Sequence, residues 1–145
     1  MLSASCHYGL QAMLFIACHS EHNKNVDLKS IVAAQQIPSH YLSKILQILV
    51  KQKLLISMKG PTGGYQLARE AHSITLLDVI EAIDGLDAFS KCGIFNGSCN
   101  EEYPCSIHYE FRKSMNDIKS FYQIKQLDSY KSMIDECNCN KLSQF

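Results

Sequence analysis

Apolar residues recur through the first fifty positions at the three- and four-residue spacing of helices. Leu10, Met13, Leu14 and Ala17 mark a helix over residues 4–19, with Ser3 or Ser5 as its N-cap. The polar run Ser20-Glu21-His22-Asn23-Lys24-Asn25 reads as a loop. Asp27 then caps a short helix whose inner side is Leu28, Ile31 and Val32, and Gln35-Gln36-Ile37-Pro38-Ser39 breaks it. Pro38 suits the beginning of the next helix, where a missing N–H leaves no intrahelical bond unmade. That helix runs to about Gln52, with Leu42, Ile45, Leu46 and Leu49 facing inward. Two helices joined by a tight break, the second amphipathic, form a helix-turn-helix pattern.

The period then changes. Leu54-Leu55-Ile56-Ser57 and Tyr65-Gln66-Leu67 read as short strands around Lys59-Gly60-Pro61-Thr62-Gly63-Gly64, a hairpin tip whose glycines supply the turns. A helix-turn-helix followed by a basic β-hairpin is a winged-helix arrangement. Thr75 opens a further helix, with Asp78 as its capping-box partner and Leu76, Val79, Ile80 and Ile83 on its buried face. Residues 88–105 show no periodicity. A long helix returns from Ser106 to about Tyr122 on Ile107, Phe111, Met115, Ile118 and Tyr122, and a last one is expected over about 127–136. The fold class is therefore mainly α with a small β-hairpin wing. A DNA-binding winged helix-turn-helix domain spans 1–72, and a helical dimerisation region spans 73–145. The long helix follows a unit that has already closed, so its apolar stripe needs a partner surface, which a second copy would supply; the alternative is that the helix folds back on its own domain.

Charge sharpens this division. The chain of 145 residues has no net charge, yet residues 1–72 carry seven Lys/Arg against three Asp/Glu, and residues 73–145 carry seven against eleven. A net +4 front and a net −4 rear fit a protein that meets a phosphate backbone with its first half. No phosphate loop, nucleotide fingerprint or nucleophile–base constellation stands in the sequence, so it does not read as an enzyme. The first 20 residues hold no Lys or Arg to open a signal peptide, and Ser3, Ser5, His7 and Gln11 interrupt any membrane span. The chain reads as cytoplasmic.

Seven cysteines are many for this length, and in a cytoplasmic chain clustered thiols are more often ligands than disulfides. Cys92-x6-Cys99-x5-Cys105-x2-His108 places four soft or borderline donors within 17 residues, inside a ligand loop of about 88–108. Such a set suits iron–sulfur, zinc or redox chemistry. Zinc modules bring their ligands in shorter C-x2-4-C pairs, so this wider spacing speaks against zinc. Cys6 and Cys18, on the first helix, read as small buried residues, and Cys137 and Cys139 sit in a polar tail with no role favoured.

Tyr8-Gly9-Leu10, Pro38-Ser39-His40-Tyr41-Leu42, Lys59-Gly60-Pro61-Thr62-Gly63-Gly64-Tyr65-Gln66-Leu67 and the helix Ile74–Asp84 together resemble the Rrf-two family of bacterial winged-helix regulators. The resemblance covers roughly residues 2–135. The three-cysteine loop is similar to that of the cluster-binding (IscR/NsrR-like) branch, which implies Cys92, Cys99 and Cys105 as thiolate ligands and His108 as the fourth ligand of a 2Fe–2S cluster. A 4Fe–4S cluster is the alternative. The first gap here holds six residues where the family usually has five. His7 is the rival fourth ligand, by likeness to members in which a residue near the start of the first helix reaches the cluster from the partner subunit.

The expected function is that of a homodimeric transcriptional regulator, for instance a repressor, that binds promoter DNA under control of an iron–sulfur cluster. Ser39, His40, Tyr41, Ser43 and Lys44 open the recognition helix, while Lys59, Gly60 and Thr62 form the wing tip, and these are the expected DNA contacts. A cluster-free regulator answering a small effector or partner protein, or one stabilised by zinc, is the alternative.

Overall fold

The computed structural model describes residues 2–20, 24–91 and 101–130. Helix α1 spans Ala4–His19, α2 Leu28–Gln35 and α3 Ser39–Lys51; strands β1 Leu55–Met58 and β2 Gly64–Leu67 follow, then α4 Leu76–Asp84 and α5 His108–Ile124. Single 3-10 turns occupy Ala71–Ser73, Leu86–Phe89 and Leu127–Tyr130. Among the described residues, no helix is long and apolar enough to cross a membrane.

The caps follow local chemistry. Ser3 opens α1 by accepting from Cys6 N, and Asp27 opens α2 by accepting from Ser30 N. The hydroxyl and backbone N–H of Ser30 together hold the Asp27 carboxyl below its ordinary pKa. Thr75 and Asp78 close a complete capping box on α4. Pro38 is the N-cap of α3 rather than its first helical residue, and no side chain caps that helix.

Helix α1 departs from the single stripe expected of it. Met13 and Ala17 are buried, but so are Phe15 and Ile16, while Leu10 and Leu14 are only half-buried. A helix that is apolar nearly all round belongs inside the fold, and α2, α3, α4 and β2 all pack against this one. Its crossing with α4 is close. A Cβ on Gly9 would overlap Ile83 Cδ1, so only glycine brings the two backbones this near without displacing that side chain. For α3 the expected inner face holds, with Leu42, Ile45, Leu46 and Leu49 all buried.

The wing is an antiparallel pair in which Leu55 faces Leu67 and Met58 faces Gly64. Val26 adds a third rung, exchanging backbone hydrogen bonds of 2.8 Å with Tyr65 in both directions. Gly64 sits at φ +150°, and a Cβ there would press on the Val26 carbonyl, so this position must be glycine for the third rung to form.

One cluster of buried side chains runs from Ala12 to Leu127, so α4 and the segment after α5 share the core of the first seventy residues. The return of the chain is pinned by backbone pairing: Leu76 N donates to Lys125 O, and Leu127 N to Ile74 O. Helix α5 begins at His108 and ends at Ile124, two residues later at each end than its periodicity suggested. The expected last helix over 127–136 is a 3-10 turn as far as Tyr130; the rest lies outside the described residues.

Leu127 is wholly buried, whereas Ile124, one turn earlier, is 73% exposed. Leu127→Ala should cost about 2–5 kcal/mol, as truncating a buried leucine does. Ile124→Ala should cost under about 0.5 kcal/mol in a monomer. Urea denaturation of the two variants checks both figures.

Candidate functional site

The polar face of α3 is built by what its apolar face leaves outside. Ser39, His40 and Lys44 are exposed, and Ser43 is half-buried. Gln47 is exposed too, three residues after Lys44 and seven after His40, so it extends the same stripe. The helical period alone places it on that stripe, one turn beyond Lys44. Tyr41 stands apart. It is half-buried, its ring lies edge-on to Tyr8 at 6.0 Å, and its hydroxyl is 2.8 Å from Ser5 Oγ.

At the wing, Lys59, Gly60 and Thr62 are all exposed. The tip is tied back to the body, because Asn25 Nδ2 donates to the Thr62 carbonyl at 2.9 Å and Gly63 N donates to Gly60 O. Helix α3 exposes hydroxyls, an amide, an imidazole and Lys44, and the wing tip exposes Lys59 and the Thr62 hydroxyl. That chemistry suits phosphate oxygens and base edges.

The ligand loop is described in part. Cys92 and Cys99, with the tail residues Cys137 and Cys139, lie outside the described residues. Cys105 is half-buried just before α5, and His108 is the first residue of that helix. His108 N donates to Cys105 O at 3.0 Å, so the two donors share one turn. The imidazole is only 4% exposed and meets the Tyr109 ring edge-on. His7, the rival ligand, is exposed on the first turn of α1. Among the described residues, no group of three or more His, Cys, Asp and Glu converges as a metal site.

The donor set fits an iron–sulfur group nonetheless. A half-buried thiol and a buried imidazole stand at the start of α5, and Ile107, its N-cap, offers no side-chain cap. The positive end of the α5 dipole lies there too and favours an anionic neighbour, although His108 N is itself taken by Cys105 O. Sequence chemistry supplies the two remaining thiols, Cys92 and Cys99.

Cys6 behaves differently from Cys105. It is fully buried, and burial, then the charge of Asp84, then a hydrogen bond to Asp84 push its thiol up to about 12. Its neutral form belongs to the packing between α1 and α4. Cys18, expected to be buried like Cys6, is only half-buried.

A model of the Rrf2 family, described as iron-dependent transcriptional regulator, matches residues 2–129. The HTH-type transcriptional regulator IscR of Vibrio campbellii is 36% identical over 120 residues, covering 83% of this chain and 70% of that protein. Protein rrf2 of Nitratidesulfovibrio vulgaris is 30% identical over 142 residues, covering 96% and 94%. Among solved structures, that of T. potens IscR overlays with a TM-score of 0.72 at 27% identity, covering 95% of this chain and 90% of that one. The structure of CymR, the global cysteine regulator of B. subtilis, overlays at 0.78 with 24% identity, covering 92% and 97%; at that identity the likeness speaks for the fold.

The state of Cys6 gives a pH prediction. Its folded pKa lies above the thiol's ordinary 9.0, so the fold favours the protonated form. That stabilisation is complete below about pH 9 and is lost as pH rises from there towards 12. At pH 8, iodoacetamide should modify Cys105 well before Cys6, which peptide mass spectrometry reads directly. Cys6→Ala should flatten the alkaline fall in stability.

Proposed function

Because the chain belongs to the Rrf2 family of transcriptional regulators, which are not enzymes, we propose that it is a homodimeric regulator whose sequence-specific DNA binding is controlled by an iron–sulfur cluster. The observation that carries the DNA reading is the exposed polar stripe of α3, together with an exposed, lysine-bearing wing tip. Ser39, His40, Ser43, Lys44 and Gln47 line the helix that enters the major groove, and Lys59, Gly60 and Thr62 follow the flanking backbone. Residues 1–72 supply this face, and residues 73–145 supply the dimer contact and the ligand loop.

Two apolar stripes on α5 support the dimer. His108, Phe111, Met115 and Tyr122 turn towards the body, where Met115 and Tyr122 pack on the cluster around Phe89. Ile107, Ile118 and Phe121 lie on another side and stay exposed, with Phe121 at 48%. Ile118 and Phe121, exposed one turn apart on this side, suit an association surface. A second copy of the same helix fits it by symmetry, and a dimer brings two recognition helices to two half-sites.

For the cluster, the support is the donor set Cys92, Cys99, Cys105 and His108, together with the family's iron dependence and the likeness to IscR. Bound there, the group would supply iron whose oxidation state and occupancy change the charge held at the loop. The chain's part is to hold it. Three cysteines would hold it as thiolates, their protons released to solvent, and a neutral imidazole in place of a fourth thiolate would lower the negative charge and make retention sensitive to pH. A 2Fe–2S form with His108 as the fourth ligand is the version this donor set supports best, against His7.

Protein purified without oxygen should be red-brown, with iron and sulfide in equal amounts. Cys105→Ala should remove the visible absorption and change affinity for promoter DNA, whereas Cys137→Ala should leave the colour intact. A colourless, iron-free wild-type preparation would exclude cluster control and leave a cluster-free regulator. Separately, Ile118→Glu should turn a dimer into a monomer in sedimentation velocity, since it buries a charge at the contact.

A further inference from the structure

Tyr41, one of the expected DNA contacts, is tied into the body of the protein. It occupies the third position of α3, its hydroxyl bonds Ser5 Oγ at 2.8 Å, and its ring meets that of Tyr8 in a T-shaped contact. Ser5 belongs to the first turn of α1, and that turn is fixed from its other side. Asp84, the last residue of α4, accepts from Ser3 N at 2.7 Å and from Ser3 Oγ, while Ser3 Oγ accepts from Cys6 N at 3.1 Å. One short turn therefore sits between the end of α4 and the beginning of α3.

A second observation makes this contact matter. The N-terminus of α3 has no side-chain cap, since Pro38 stands at the N-cap. The leading turn of the helix that faces DNA thus lacks the usual local tether. Its tether is Ser5, 36 residues away in sequence.

We propose that Tyr41 is a positioning residue for DNA readout: the Ser5–Tyr41 hydrogen bond fixes the leading turn of α3 against α1 and so sets where Ser39, His40 and Lys44 meet the groove. The inference rests on the reading that α3 enters DNA. A contact made to a base edge needs placement within a few tenths of an ångström, whereas a contact to phosphate tolerates more. Loosening the tie therefore costs sequence selectivity before it costs general affinity.

The test is a double-mutant cycle on the full chain with Ser5→Ala, Tyr41→Phe and both together. The first readout needs no DNA. Hydrogen exchange over residues 39–45 should quicken in each variant, while exchange in the middle of α4 stays as in the wild type. The second uses a 30-base-pair duplex recovered by the wild-type protein from a random pool, compared with random-sequence duplex. The ratio of the two affinities should fall about three- to tenfold in each single variant, the range that one hydrogen bond supplies. The double variant should fall no further, Ser5→Thr should keep the ratio, and the salt dependence should not change, because no phosphate contact is lost.

The proposal is overturned if Tyr41→Phe weakens binding while Ser5→Ala does not, since the hydroxyl then serves the DNA itself. Additive losses, or unaltered exchange over 39–45, overturn it as well. If the wild-type protein recovers no duplex, the DNA reading fails; the exchange result then decides whether the tie exists, and the readout role falls with the DNA reading.

Discussion

Met13 and Ile16 in α1 are removed completely from solvent, and the helices and strand around them are arranged to keep them so. Burying a helix on nearly every side takes several partners, and each brings a piece of the functional surface with it. Helix α3 approaches with Leu42, Ile45 and Leu46 and so turns its polar stripe outward. Helix α4 approaches past Gly9, where the missing Cβ permits close contact, and carries Asp84 to the head of α1. Strand β2 approaches with Tyr65, which locks Val26 and steadies the wing. The polar stripe of α3 and the wing are in this sense the outside of a shell built around one helix.

The ends of α1 and α4 concentrate the polar bonds that this packing leaves room for. Ser3, Ser5, Cys6, Tyr41 and Asp84 lie within two turns of one another, and the chain leaves Asp84 through Gly85 towards the ligand loop.

The two-sided helix α5 shows where periodicity reading reaches its limit. Ile107, Phe111, Met115, Ile118 and Tyr122 satisfy helical spacing as one set, yet Met115 and Tyr122 face the body while Ile107 and Ile118 do not. A stripe wider than about 100° can serve two surfaces, and spacing alone does not divide it. In the same way Tyr41 fits an exposed recognition position by number, and only the placement of Ser5 and Tyr8 shows that its ring is turned inward. Gln47 was legible, since it repeats the exposed period of His40 and Lys44.

Local chemistry settled much of this protein in the sequence itself. Caps at Ser3, Asp27 and Thr75, the breaks at Pro38 and the glycines of the wing, and the inner face of α3 all depend on residues a few positions apart, which a linear pattern records. The ligand residues and the basic front half were also visible there as composition and spacing. Tertiary structure alone decided that α1 is central, that α5 divides between body and surface, and that Ser5 bonds the uncapped first turn of α3. Those three outcomes join residues far apart in the chain, down to the contact of α1 with the Leu127–Tyr130 turn, and the packing that joins them is set by the shape of whole helices. No pattern along the chain encodes which helix another will meet.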